Sequence, residues 1–137
     1  MSKVEQTLSL IKPDAVERNL EEEIKQFFIK SGFKITKQKK VKLEKKDAEI
    51  FYKVHETKPF YNDLCNYLSS GPIVAMILEK VDAVSENRKV MGATDPAKAD
   101  EGTIRKKYAE DMGRNAVHGS DSDENASIEI NFFFSND

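Results

Sequence analysis

The sequence predicts a domain of the α/β class, in its α+β form, on three observations. Alternating apolar segments end near residues 11 and 43, helical apolar stripes follow each of them, and an unbroken apolar run occupies residues 73–78. The first strand is read over Gln6 to Ile11, where Leu8 and Leu10 alternate with Thr7 and Ser9 before Pro13 stops the pattern, leaving Lys12 at the carboxyl end. Glu21 to Ser31 carries Ile24, Phe27 and Phe28 at helical spacing, has acids in its first turn, and meets Gly32 as a stop signal. Phe33, Ile35, Val41 and Leu43 then bracket a lysine-rich run (Lys34, Lys37, Lys39, Lys40, Lys42), the pattern of a strand with one face in water. Residues 45–54 and 59–68 read as two short helices, the second bearing Phe60, Leu64, Cys65 and Leu68 on one stripe and ending at Ser69-Ser70-Gly71-Pro72. The run Ile73-Val74-Ala75-Met76-Ile77-Leu78 reads as a strand buried on both faces, central in its sheet. Residues 82–91 form a further helix closed by Gly92, and residues 93–100 a polar loop of the length that often carries function. Near the end Ile128, Ile130 and Phe132 alternate as in a strand, yet Ala126, Ile130, Phe133 and Phe134 share one helical face behind the N-terminus-like Asp121-Ser122-Asp123-Glu124. Helix is the preferred reading. With the short segment around His118 as the last strand, this order is a ferredoxin-like split βαβ arrangement, a four-stranded antiparallel sheet with helices packed on it, here expected on one face.

Composition bounds the function. A chain of 137 residues, 39% hydrophobic and 34% charged, describes one domain over residues 1–137 with a sufficient core. Twenty-two basic residues against 24 acidic ones leave a net charge of −2, so a dedicated nucleic-acid binder is not indicated and any anion site must be local. The longest apolar run is too short to cross a bilayer and the first residues lack a signal-peptide apolar region, so no membrane role is expected and a cytoplasmic location is. Cys65 is the one cysteine, which excludes an internal disulfide and reads as a core thiol.

The chemistry concentrates in Asn115-Ala116-Val117-His118-Gly119-Ser120-Asp121-Ser122, where one of two histidines stands among small and polar residues. Gly119 removes a side chain beside the ring, and Asn115, Ser120 and Asp121 offer hydrogen bonds to orient it. A reactive or ligand-binding imidazole and a plain His-Gly surface turn both fit that stretch. Taken singly, Arg88 and Arg105 read as exposed helix cations, Lys12 as a strand-end charge, Tyr52 as a half-buried core tyrosine and Phe60 as core packing beside Leu64 and Leu68.

Four blocks together decide between these readings. Thr7-Leu8-Ser9-Leu10-Ile11-Lys12-Pro13-Asp14-Ala15-Val16, Lys58-Pro59-Phe60, Met91-Gly92-Ala93-Thr94-Asp95-Pro96 and the segment from Asn115 to Ser122 resemble, in order and spacing, the nucleoside diphosphate kinase family over nearly the whole chain. The resemblance implies a phosphotransferase that moves the γ-phosphate of a nucleoside triphosphate onto His118 and then onto a nucleoside diphosphate, reversibly and with ping-pong kinetics, supporting nucleotide pool balance. It implies that Glu129 on the last helix contacts the histidine ring with Ser120 completing the contact, that Lys12, Arg88 and Arg105 supply positive charge to the phosphates, and that Thr94 donates to phosphate. Tyr52 matches a position near Lys12 and the histidine. By the same resemblance the base lies between Phe60 and Met112 with little contact to its edge, so base selectivity is expected to be low, and Lys12 and Asn115 contact the sugar hydroxyls. Mg²⁺ is implied as cofactor, held mainly by nucleotide phosphates and not by a protein cage. A homo-oligomer, hexamer or tetramer built from dimers, is implied as well.

The chain departs from the common pattern at Glu22, where glycine is frequent, at Met112, where a branched aliphatic is, and at Tyr61, which replaces a second phenylalanine and is expected to turn its hydroxyl to water. It ends soon after the last helix, as in the shorter bacterial type. Two other classes fit less well: a Ser-His-Asp hydrolase from His118, Ser120 and Asp121, because residues so close in sequence rarely converge as a triad, and a regulatory protein that binds nucleotide without turnover, because the set of matched residues is intact.

Overall fold

The computed structural model describes residues 4–111 and 114–135. Strands β1 (Val4–Ile11), β2 (Lys34–Val41), β3 (Ile73–Val81) and β4 (Val117–Gly119) form one sheet in the order β2-β3-β1-β4. All three pairings are antiparallel, with Leu8 opposite Ile77 and Leu10 opposite both Ala75 and His118. This is the expected ferredoxin-like sheet, with the 73–78 run at its interior.

Among the described residues seven α-helices connect and cover the strands: α1 (Pro13–Glu17), α2 (Glu21–Lys30), α3 (Lys45–Phe51), α4 (Tyr61–Leu68), α5 (Ala83–Met91), α6 (Ile104–Tyr108) and α7 (Asp123–Phe134). They lie on both faces of the sheet, which corrects the expectation of one. Val74, Met76 and Leu78 point into a core with Ile24 and Phe28 of α2, Met91 of α5 and Ile104 of α6. Ile73, Ala75 and Ile77 point the other way, into a core with Ala48 of α3, Cys65 and Leu68 of α4 and Phe133 and Phe134 of α7. Alternate residues of a strand face opposite sides, so a strand with no polar position must be covered twice.

Local chemistry explains where elements begin and end. Helix α2 closes with Gly32 at φ +91°, the Gly32 N–H donating to Ile29 O and the Phe33 N–H to Phe28 O, a paired arrangement that also brings Phe33 edge-on to Phe28 at 5.9 Å. Helix α7 starts on Ser122, whose hydroxyl accepts from the Asn125 N–H at 3.1 Å. That cap settles the tail as helix. Helix α1 was not anticipated, because Pro13 ends a strand and is equally suited to the first position of a helix, which it occupies here. Helix α6 has five residues, too few to show a period in sequence. The lysine-rich strand β2 is an edge, as its mixed and exposed pattern requires.

The Tyr61 hydroxyl, expected to turn to water, donates to Glu49 O at 2.8 Å and ties α4 to α3. Cys65 is fully buried, as expected of a core thiol. Among the described residues no helix is long and apolar enough to cross a membrane.

Candidate active site

The short strand β4 presents His118 at the edge of the sheet, and Gly119 beside it allows helix α5 to pack close. A β-carbon at position 119 would lie 2.3 Å from Asn87 Nδ2 and 2.7 Å from Met91 Cε, so any side chain there would displace the ends of Asn87 and Met91. The imidazole Nε2 lies 3.0 Å from Glu129 Oε1, and the same oxygen accepts the Ser120 hydroxyl at 2.7 Å. A carboxylate accepts, so in the neutral ring the proton sits on Nε2 and the lone pair on Nδ1. Phe51 and Tyr52 meet the ring edge-on at centroid distances of 5.3 and 6.1 Å. The ring is thereby held from three directions while it lines a cavity of about 1070 Å³.

Of the lysines and arginines that line that cavity, Lys12, Arg88 and Arg105 are the three expected to meet phosphate. Lys12, at the end of β1, is only 5% exposed, and its Nζ donates to Asn115 Oδ1 at 2.9 Å. Burial, and then the neighbouring Arg105, lower its pKa to about 8. Arg105 of α6 is 8% exposed, donating from Nη1 to Gly92 O at 3.0 Å and from Nη2 to Val117 O at 2.9 Å. Burial, and then the like charge of Arg88, bring its pKa to about 10. Arg88 of α5 is exposed at the cavity wall. Arg105 lowers Lys12 and Arg88 lowers Arg105, so two buried cations and one exposed one give a locally positive site, which a polyanion relieves.

The remaining expected residues converge on the same space. Asn115 donates from Nδ2 to Thr94 O at 3.3 Å, joining Lys12 to the loop after α5. Thr94 is exposed and lines the cavity. Phe60 is 50% exposed, which removes it from the core and leaves one ring face for a ligand. Tyr52 is more buried than its sequence suggested, at 5%, and burial together with Glu129 raises its hydroxyl pKa. Met112 lies outside the described residues. The hydrolase alternative loses its geometry, since Ser120 donates to Glu129 and Asp121 accepts from Asn125 Nδ2 at 2.6 Å, leaving no Ser-His-Asp relay among the described contacts. Phe51 was missed by sequence reasoning: its apolar position in α3 is indistinguishable from core until the partner across the fold is seen.

Residues 5–137 match the family model of nucleoside diphosphate kinase. The chain belongs to the nucleoside diphosphate kinase family. Two curated relatives of that name are similar to it over most of both chains. The nucleoside diphosphate kinase of Persephonella marina is 56% identical over 132 residues, covering 96% of this chain and 94% of the relative. That of Granulibacter bethesdensis is 53% identical over 131 residues, covering 96% and 94%. Among solved structures, the Aquifex aeolicus nucleoside diphosphate kinase superposes with a TM-score of 0.95 at 41% identity, covering 98% of this chain and 97% of that one. The Encephalitozoon cuniculi enzyme superposes at 0.93 with 38% identity, covering 97% and 90%. This is a family of phosphotransferases, and the four-stranded sheet with its two helical layers is shared with its solved members.

Proposed function

We propose that this nucleoside diphosphate kinase works through His118, with residues 1–137 acting as one catalytic domain in the cytoplasm. The observation that carries the proposal is the Glu129 carboxylate on Nε2, which leaves the Nδ1 lone pair in a ring lining a cavity with Lys12, Arg88 and Arg105. Nδ1 attacks the γ-phosphorus of a nucleoside triphosphate; the P–N bond forms as the bond to the β-phosphate oxygen breaks, and the diphosphate leaves. A second nucleoside diphosphate then attacks the phosphohistidine through a β-phosphate oxygen, and the P–N bond breaks. Lys12, Arg88 and Arg105 take up the charge on the phosphate oxygens, Thr94 donates to phosphate, and Tyr52 and Ser120 hold the nucleophile's surroundings. Lys12 and Asn115, already bonded to each other, reach the sugar hydroxyls. Phe60 and Met112 sandwich the base.

Among the described residues no group of three or more His, Cys, Asp or Glu side chains is placed to hold a metal ion. In this proposal Mg²⁺ arrives on the nucleotide phosphates, where it would neutralise oxygen charge. An assembly of dimers into tetramers or hexamers belongs to the proposal.

The test is to mix the protein with Mg²⁺ and γ-labelled ATP, isolate labelled protein, and chase it with several nucleoside diphosphates. Acid-labile label that moves to every acceptor is expected; nucleotide binding with no label would favour a regulatory protein. Phe60→Ala is expected to raise KM for all bases alike, through a lost stack of ~1–3 kcal/mol. A loss confined to one base would refute the sandwich.

The depressed Lys12 pKa sets a pH dependence with two signs. Charged Lys12 serves phosphate, so kcat/KM should fall as pH rises through about 8 in the free enzyme. Stability should move the other way: the unfolded lysine keeps its proton up to 10.5, so between about 8 and 10.5 the unfolded state binds more protons and stability from this group rises with pH. Lys12→Met should remove both trends, as read by pH-rate profiles and by urea unfolding at pH 8 and 10.

A further inference from the structure

The residue between Asn115 and the nucleophile's strand has a backbone that its side chain opposes. Ala116 has φ +71° although it is not glycine, and the Val117 N–H donates to Asn115 O at 2.8 Å across it. A three-residue turn with a positive central φ is the rare, strained form of the γ-turn, and such a turn persists only where its surroundings hold it. Ala116 is fully buried, and its two backbone groups are both taken. Its O accepts from the Lys12 N–H at 2.8 Å, and its N–H donates to Asp14 Oδ2 at 3.1 Å.

Asp14 is itself only 5% exposed and is fixed from the far side. The Tyr67 hydroxyl donates to Asp14 Oδ1 and accepts from the Asp14 N–H, the latter at 2.9 Å. Tyr67 stands on α4, the helix that follows Phe60. One line of hydrogen bonds, part-buried at Tyr67 and buried from Asp14 onward, therefore runs from the helix behind the exposed aromatic, through Asp14, to the strained turn that sets Asn115 against Lys12 and delivers His118 into β4.

We infer that Asp14 and Tyr67 are positioning residues for phosphoryl transfer, a brace that keeps the Ala116 turn in its strained form and so holds Asn115 and His118 in register with the phosphate site. The inference rests on His118 being the nucleophile. Neither residue touches the reacting atoms, and both act through the turn. A misplacement of the reacting groups by a fraction of the turn's width lowers the rate of the chemical step more than ground-state binding.

The experiment compares Tyr67→Phe, which keeps the ring and removes the hydroxyl, with the double variant Tyr67→Phe/Ala116→Gly, using Ala116→Gly alone as reference. Single-turnover formation of phosphohistidine gives the chemical rate, and thermal unfolding gives stability. Tyr67→Phe should slow the chemical step about tenfold with a smaller change in nucleotide KM. Glycine adopts positive φ without strain and needs no brace, so adding Ala116→Gly should restore most of that rate. A merely structural tyrosine predicts the opposite, since a second substitution in a destabilised protein gives no recovery of rate. Unchanged rate in Tyr67→Phe, or no recovery in the double variant, overturns the inference. Asp14→Asn, which keeps volume and gives up one acceptor, is read in the same way should Tyr67→Phe fold poorly. Failure of the nucleophile assignment shows separately, as label on the wild-type protein at a residue other than His118.

Discussion

Replacing His118 by alanine is expected to abolish phosphate transfer while leaving the fold and nucleotide binding in place. The side chain is half-buried at the cavity wall and lies in neither apolar core, so its loss opens space toward solvent and leaves no void in the interior. Glu129 keeps its bond from Ser120, so its carboxylate retains a partner. The phosphate cations are untouched, and nucleotide affinity should stay within a few-fold of wild type. The other histidine on the cavity wall, His55, lies against Phe60 at 5.9 Å, on the side proposed for the base, so the chase experiment should find no label above background, a loss of at least roughly 10⁴-fold by comparison with removal of other covalent nucleophiles. Substantial residual transfer at a rate set by both substrates together would replace the two-step reaction with direct transfer. Glu129→Gln isolates the orienting role: the amide still reaches Nε2 and can stabilise the wrong tautomer by donating to it, so a large rate loss at unchanged KM is expected.

What could be read from the sequence divides along a physical line. Elements set by local pattern were legible: the alternation that makes β1, the glycine that closes α2, the apolar run that becomes β3. Pattern failed where one residue serves two grammars, as Pro13 does, and where an element is shorter than two repeats of its own period, as α6 is. The two-sided cover of the sheet was implicit in the 73–78 run, which has no face that could meet water. For the site, residue types and motif spacing named the participants, but burial decided their chemistry. Arg105 looks like a surface helix cation in sequence and is 8% exposed, whereas Phe60 looks like core and is half exposed. Contacts such as Lys12 with Asn115, 103 positions apart, exist because β1 and β4 are neighbours in the sheet, a pairing that no local pattern encodes.

Arg105 carries the second large effect. Two of its guanidinium N–H groups support Gly92 O and Val117 O, and a guanidinium has five, so three remain, of which the buried Nε–H has no partner in the described structure. The residue is thus strut and phosphate clamp at once. Arg105→Met keeps much of the stem and removes the charge. Transfer should fall about 10²–10³-fold, the range for removing one preorganised donor from a developing anionic centre. Stability should fall by about 1–3 kcal/mol, because two carbonyls lose their donors while the cost of burying the cation disappears. The two roles separate in the pH profile. After burial, the charge of Arg105 is what lowers Lys12, so its removal should move the alkaline limb of kcat/KM upward from about 8, part of the way toward the ordinary lysine range. Arg105→Lys offers the contrast: a point charge cannot serve two carbonyls and a phosphate together, so it should retain the alkaline limb near its wild-type position while losing rate. A variant that lost stability but kept both rate and profile would make Arg105 a strut alone.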